Sequence, residues 1–249
     1  MREQDHAPTR RETLRVVAGG AIVAAAGTMG GARAQGQGAP QIKPGNEDVF
    51  IVVDVQYDFL PGGALAVKDG DQVIGPINAL APRFAHVVLT QDWHTPGHIS
   101  FASAHAGKKP FELTSLDYGD QVLWPDHCVQ GTRGAMISDA LQIPHAELVI
   151  RKGYNPTIDS YSAFMEADRK TRTGLAGYLR ERGLKRVFVA GLATDFCVAW
   201  TALDARAAGF DTYVIEDAAR GIDTMGSLAA AWRNMDQAGV RRIASAAVG

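Results

Sequence analysis

Hydrophobic and polar positions sort the chain into alternating blocks. Residues 49–53, Val-Phe-Ile-Val-Val, form an unbroken apolar run rich in β-branched side chains, as a strand covered on both faces requires. Similar runs recur at 86–90, 147–150, 186–190 and 212–215, with a weaker sixth at 242–246. Between them, apolar residues return every three or four positions over 71–84, 174–182, 195–208 and 224–238, the spacing of helices that bury one face. Strands separated by helices predict a single-domain α/β/α sandwich of three layers, with a mainly parallel sheet of about six strands and right-handed crossovers. Residues 90–146 break this rhythm with prolines, glycines, aromatics and histidines, and are too long for a plain connection. Such an insertion is where function is expected. No glycine-rich phosphate loop follows the first run, which argues against a nucleotide cofactor.

The first 34 residues stand apart from this pattern. Arg10 and Arg11 precede a stretch, Val16 through Ala32, that contains no charged residue, and Ala32-Arg33-Ala34 offers the small-x-small pattern that a signal peptidase cuts. Residues 1–34 are therefore expected to be a cleaved export signal, leaving Gln35 first. The arginine pair before a mild apolar core is similar to the twin-arginine signal, which exports folded proteins, so a periplasmic or secreted location is expected. The apolar stretch is short and interrupted by glycines, which disfavours a lasting membrane anchor. Residues 35–47, rich in Gly, Gln and Pro, are expected to be a flexible leader without packed structure, and 48–249 the folded domain.

Charge and cysteine content narrow the function. The formal net charge is −2, and without residues 1–34 the chain keeps 20 basic against 24 acidic residues, about −4. Neither value draws it to nucleic acid or anionic lipid. Its two cysteines, Cys128 and Cys197, exclude a disulfide scaffold or an all-cysteine metal cluster. Activity must then come from side chains at the carboxyl edge of the sheet, where open parallel sheets bind ligands. Asp54 follows the first run, Asp92 the second and Lys152 the third; after the fourth, residues 191–196 lead to Cys197 at a predicted helix start. Singly these are ordinary: a turn aspartate, a solvated lysine, a packing cysteine. Together they place a carboxylate, an ammonium and a thiol on one edge. The ammonium and the helix start both favour the thiolate. Asp54 could take the thiol proton and return it to leaving ammonia, with Lys152 holding Asp54 ionised. Backbone N–H groups around Ala193 and Cys197 are candidate oxyanion donors. This suits attack on an amide carbonyl through a thioester.

The insertion carries a second group. Asp92 and His94, two apart after a strand, can direct their side chains to one point, and His98 and His127 could complete the set. One carboxylate with two or three imidazoles suits Zn²⁺, with Fe²⁺ or Mn²⁺ as the other choices, against the plainer reading of hydrogen-bonded surface histidines.

Five motifs occur in order: Asp54-Val55-Gln56-Tyr57-Asp58-Phe59; Thr90-Gln91-Asp92-Trp93-His94; Trp124-Pro125-x-His127-Cys128-Val129-x-Gly131-Thr132; Lys152-Gly153; and Gly191-x-Ala193-Thr194-Asp195-x-Cys197-Val198. Over about residues 48–249 the chain closely resembles the nicotinamidase/pyrazinamidase family, within the isochorismatase-like cysteine hydrolases. The resemblance implies hydrolysis of nicotinamide, and of pyrazinamide, to the free acid and ammonia. It implies Asp54, Lys152 and Cys197 as the triad and Asp92, His94 and His127 as ligands of one divalent ion, with His98 ligating directly or through water. It further implies a cis peptide at Leu192–Ala193, and a slot of Phe59, Leu65, Trp93, Trp124 and Tyr161 around a small heteroaromatic amide whose ring nitrogen the metal holds. Two alternatives remain: another small-amide or carbamoyl hydrolase with the same triad, and a non-catalytic exported metal-binding protein in which Cys197 only packs.

Overall fold

The computed structural model describes residues 41–249. The expected signal over 1–34 and the leader residues 35–40 lie outside the described residues. In chain order the elements are β1 (Asp48–Val53), α1 (Ile74–Leu80), β2 (His86–Asp92), β3 (Leu113–Leu116), β4 (Gly119–Val122), β5 (Leu148–Lys152), α2 (Leu175–Glu181), β6 (Arg186–Leu192), α3 (Ala199–Ala207), β7 (Asp211–Arg220), α4 (Ser227–Gln237) and β8 (Arg241–Ile243). Six strands form one sheet in the order β5-β2-β1-β6-β7-β8, and every pairing in it is parallel. All six residues of β1 are buried. A strand closed off on both faces needs a layer above and below, which is why its sequence does not alternate.

The chain winds from β1 through β2 to β5 on one side, then returns to the other side of β1 for β6, β7 and β8. With right-handed crossovers, this reversal sends α1 to one face and α2, α3 and α4 to the other. It also opens a crevice between the carboxyl ends of β1 and β6, the place where such sheets bind ligands. The core is continuous across these strands. Phe50, Phe188 and Tyr213 are register partners on β1, β6 and β7. Phe84 stacks on Phe50 at 5.0 Å and Phe188 on Tyr213 at 4.7 Å, so an aromatic row ties three strands together.

Several boundaries differ from the expectation. The helix expected over 71–84 is a 3₁₀ turn at Gly70–Val73, then α1, then another 3₁₀ turn at Ala81–Arg83. Pro82 has no N–H to continue the ladder, so α1 stops just before it. Cys197 lies in a π-helical turn, Thr194–Val198, ahead of α3 rather than at an α-helix start. β8 is shorter than the run at 242–246, and Ser245–Ala247 form a 3₁₀ turn. The leader is not wholly free of packed structure. Ile42 N–H donates to the Ala247 carbonyl (2.7 Å), and Gly249 N–H donates to the Ile42 carbonyl (3.0 Å). One β-branched residue among polar ones has no periodicity, so its pairing with the far end of the chain left no pattern to read. The insertion holds an antiparallel hairpin, β3–β4, outside the main sheet.

Candidate active site

Asp54 follows β1 directly and is fully buried, with a positive φ of 48° that turns its side chain into the crevice. Gly191 on β6 makes the close approach possible. A Cβ there would stand 2.1 Å from the Val53 carbonyl, and its φ is +118°. Thr90 grips Asp54 from both ends: its hydroxyl donates to Oδ1 (2.5 Å) and accepts from the Asp54 N–H (3.1 Å). Lys152 arrives at the end of β5 with no exposed surface. Its Nζ lies 2.7 Å from Asp54 Oδ2 and 3.3 Å from Cys197 Sγ, and it also binds Asp92 Oδ1. Carboxylate oxygens of Asp54 and Asp92 and the sulfur of Cys197 all lie within 4.8 Å of one another. The sulfur thus sits within proton-exchange reach of the early carboxylate.

Electrostatics set the resting state. Burial pushes the Cys197 thiol well above its ordinary value, and the Lys152 ammonium opposes this without overcoming it. Lys152 and the turn were expected to favour the thiolate; desolvation of the buried sulfur outweighs them. Burial likewise raises Asp54, against the pull of Lys152. Burial alone would lower Lys152, but the carboxylates of Asp54 and Asp92 hold it well above the usual range. A thiol in this state needs a base at hand, and the Asp54 carboxylate lies within reach of the sulfur.

Asp92 links this triad to the histidines. Its Oδ1 binds Lys152, while Oδ2 stands 3.6 Å from His94 Nε2 and 3.7 Å from His127 Nε2. Burial would raise its carboxyl, but Lys152 and His94 hold it well below the usual range. His94 Nδ1 donates to the Gly153 carbonyl (2.9 Å) and His127 Nδ1 to the Pro125 carbonyl (2.8 Å). A carbonyl only accepts, so both rings carry hydrogen on Nδ1 and turn Nε2 toward Asp92, the nitrogen through which an imidazole binds a metal when a carbonyl fixes the other one. Gly153 is required here, since a Cβ would come within 2.5 Å of the His94 ring. The donor set of Asp92, His94 and His127, with ligand atoms within 4.8 Å of one another, fits a divalent metal ion. His98 is not brought into that set. It packs behind His94 with ring centroids 4.4 Å apart, donates from Nε2 to the Asn155 carbonyl (2.7 Å) and accepts at Nδ1 from the Ser100 hydroxyl (2.8 Å). Both nitrogens are used by protein partners.

The candidate metal donors and Cys197 open onto one cavity. Phe59, Leu65, Trp124 and Tyr161 line it as expected, with Asp92, His94, His127, Ala193 and Cys197. Trp93 does not. Side chains alternate along extended chain, so the step that brings Asp92 and His94 inward sends Trp93 outward, under the Arg151 guanidinium at 4.0 Å. The expected cis peptide at Leu192–Ala193 is present. Phe196, Ile222, Asp159 and Ser160 also line the cavity and were missed. Phe196 had a signal in its place beside Cys197. Ile222, in the loop after β7, had none.

Two further motif residues brace the site without facing the cavity chemistry. Gln56 uses its side-chain amide as a strand partner for Asp92, accepting from its N–H (2.8 Å) and donating to its carbonyl (2.8 Å). Asp195 accepts from the N–H groups of Ile222 (3.0 Å) and Asp223 (2.8 Å), tying the loop after β7 to the turn that carries Cys197.

Residues 48–247 match the model of the isochorismatase domain. A nicotinamidase of Acinetobacter baylyi is 58% identical over 205 residues, 82% of this chain and 96% of that protein. The chain belongs to the isochorismatase family, in its nicotinamidase/pyrazinamidase branch. Among solved structures of this family, the Acinetobacter baumanii nicotinamidase/pyrazinamidase superposes with a TM-score of 0.81 at 61% identity, covering 81% of this chain and 98% of that one. The pyrazinamidase of Pyrococcus horikoshii in complex with zinc has a TM-score of 0.66 at 36% identity, covering 80% and 99%.

Proposed function

We propose that this chain hydrolyses nicotinamide, and pyrazinamide, to the free acid and ammonia through a cysteine thioester. The observation that carries the reading is the single cavity shared by Cys197, with Asp54 and Lys152 behind it, and the Asp92–His94–His127 donor set. The activities in the names of the related proteins support it.

Asp54 takes the proton of the Cys197 thiol as the sulfur adds to the carboxamide carbon. Lys152 stays protonated throughout and holds Asp54 and Cys197 in contact. Backbone N–H groups of Ala193 and Cys197 meet the charge that develops on the carboxamide oxygen, a contribution of roughly 3–4 kcal/mol per donor in comparable sites. The C–N bond then breaks, and Asp54 returns its proton to the departing nitrogen as ammonia. Water adds to the thioester, giving its proton to Asp54. Sulfur leaves as the acid forms and recovers its proton from Asp54. Asp92, His94 and His127 would hold one divalent ion, zinc first and iron or manganese next, which supplies a Lewis-acid anchor for the ring nitrogen. Phe59, Leu65, Trp124, Tyr161 and Phe196 sandwich the flat ring and exclude water around the carbonyl.

The test is ammonia release from a panel of small amides, with metal analysis of the same sample. Nicotinamide is expected to be turned over, the Cys197→Ala variant to be inert, and chelation to abolish turnover while leaving Cys197 open to alkylation. Unimpaired hydrolysis by Cys197→Ala, or by fully metal-free protein, overturns the reading.

We also propose that residues 1–34 direct folded export and are removed, so that the enzyme works in the periplasm or outside the cell. The paired arginines and the Ala32-Arg33-Ala34 site support this.

A further inference from the structure

The hairpin β3–β4 contributes no strand to the main sheet and no reacting group, yet it reaches the cavity wall. Gln121 is the one buried residue of its two strands, and it has no exposed surface. Its Nε2 stands 2.6 Å from Asp159 Oδ2 and 2.9 Å from the Tyr161 hydroxyl. Its amide oxygen accepts from the Tyr118 hydroxyl at 3.1 Å, so the hairpin itself fixes which way the amide points. The Tyr161 hydroxyl in turn accepts from Trp124 Nε1 at 3.0 Å. Trp124 stands edge-on to Phe196, with centroids 4.9 Å apart and planes at 89°.

The amide thus braces one wall directly, and through the Tyr161 hydroxyl it reaches a second wall from a distant part of the chain. Trp124 belongs to the insertion, and Asp159 and Tyr161 belong to the loop after β5; all three line the cavity, while Gln121 lies behind them. A buried carboxylate and a buried hydroxyl both accept from the same nitrogen, which donates to the Val122 carbonyl (2.7 Å) as well. Replacing Gln121 with a side chain of equal size and no polar atoms removes that partner from both. Asp159 keeps the Ser160 N–H (2.8 Å) and Tyr161 keeps Trp124 Nε1, but the brace that fixes their spacing is lost.

We propose that Gln121 is a positioning residue that sets the width of the ring slot, holding Trp124 and Tyr161 at the separation that admits a single six-membered heteroaromatic ring and rejects a fused second ring. The inference rests on the reading of this cavity as the site of a flat ring amide. It assigns the hairpin a role in substrate selection.

Two measurements on wild type, Gln121→Leu and Tyr118→Phe test it. One is kcat and KM for nicotinamide against quinoline-3-carboxamide. The other is protection of Cys197 from iodoacetamide by nicotinate against quinoline-3-carboxylate, which needs no turnover. Loss of one buried hydrogen bond corresponds to about a tenfold weakening. Gln121→Leu is expected to raise the nicotinamide KM about tenfold with kcat within about twofold, and to cut the preference for the single ring by about fivefold or more in both measurements. Tyr118→Phe, which keeps Gln121 but removes the donor to its amide oxygen and the acceptor of the Asp159 N–H (3.3 Å), is expected to shift both in the same direction by a smaller factor. It decides the matter should the leucine variant fail to fold. Unchanged KM and unchanged ring preference in the folded variants overturn the proposal, as does a wild-type cysteine that neither acid protects. Wild type that is protected by nicotinate but does not hydrolyse nicotinamide overturns the proposed function and leaves the slot standing.

Discussion

At the scale of single residues, the chemistry was the most legible part of the sequence, because each reacting group lies at the carboxyl end of a strand or in the turn that follows it. Period-two alternation put Asp92 and His94 on one side, and the same rule, applied to Trp93, would have removed it from the slot. Thr90 and Gln56 were not legible, since a hydroxyl or amide carries no mark of the partner it will meet across the sheet. Nor was Glu166, which the mechanism does not use. It is 1% exposed, its Oε2 has no hydrogen-bond partner, and burial raises its carboxyl from the ordinary 4.5 to about 7. A raised folded-state value means the native state binds the proton more tightly than the unfolded chain. Its stabilising contribution is therefore complete below pH 4.5 and lost as the pH rises through about 7. Glu166→Gln keeps the shape and removes the titration. Relative to wild type, its unfolding free energy is expected to rise by about 2–3 kcal/mol between pH 5 and pH 8. Urea unfolding of both proteins at the two pH values checks this, and parallel pH dependences would contradict it.

At the scale of elements, strands showed clearly and their connections did not. A buried parallel strand is a local apolar run, whereas a turn depends on who accepts its hydrogen bonds. The break of the 71–84 helix could be read from Pro82, but the π-helical turn at Thr194–Val198 had no local signature. The hairpin β3–β4 was hidden because its strands are four residues each and bury only one residue between them. The tie between the turn carrying Cys197 and the loop after β7 is of the same non-local kind. Asp195 is 6% exposed and accepts from two backbone N–H groups and from the Ser227 hydroxyl (2.5 Å). Hydrogen bonds to a buried charge are worth about 1.5–3 kcal/mol each and are not additive. Asp195→Ala is expected to cost about 2–4 kcal/mol, lowering Tm by roughly 5–15 °C for a domain of this size. Because Ile222 lines the cavity, KM for nicotinamide should rise as well. A calorimetric Tm within about 2 °C of wild type, on the order of 1 kcal/mol or less, would show that the tie is not needed.

At the scale of the whole molecule, the two ends of the parallel strands divide the labour. Asp54, Asp92, Lys152 and the turn after β6 all sit at carboxyl ends. The described chain enters at the opposite end: Ile42 lies against Ala247 and Gly249, and the Glu47 carbonyl accepts from the N–H groups of Lys185 and Arg186 at the start of β6. Arg83, just before β2, donates to the Val248 carbonyl, which keeps the C-terminal residues at that same end. Anything attached ahead of residue 41 is joined to the molecule a full strand length away from the cavity, on the order of 20 Å for strands of six or seven residues. Among the described residues no helix is long and apolar enough to cross a membrane, and both cysteines are buried and free. On the proposed reading of residues 1–34 as an export signal, attachment at this end gives the site no structural need for their removal. Replacing Arg10 and Arg11 with lysine is expected to retain the full-length precursor inside the cell. That purified precursor should match the chain beginning at Gln35 in kcat/KM for nicotinamide within about twofold, less than about 0.5 kcal/mol. A precursor that gains about tenfold or more on removal of residues 1–34 would mean that the segment reaches the cavity, against the polarity of the sheet.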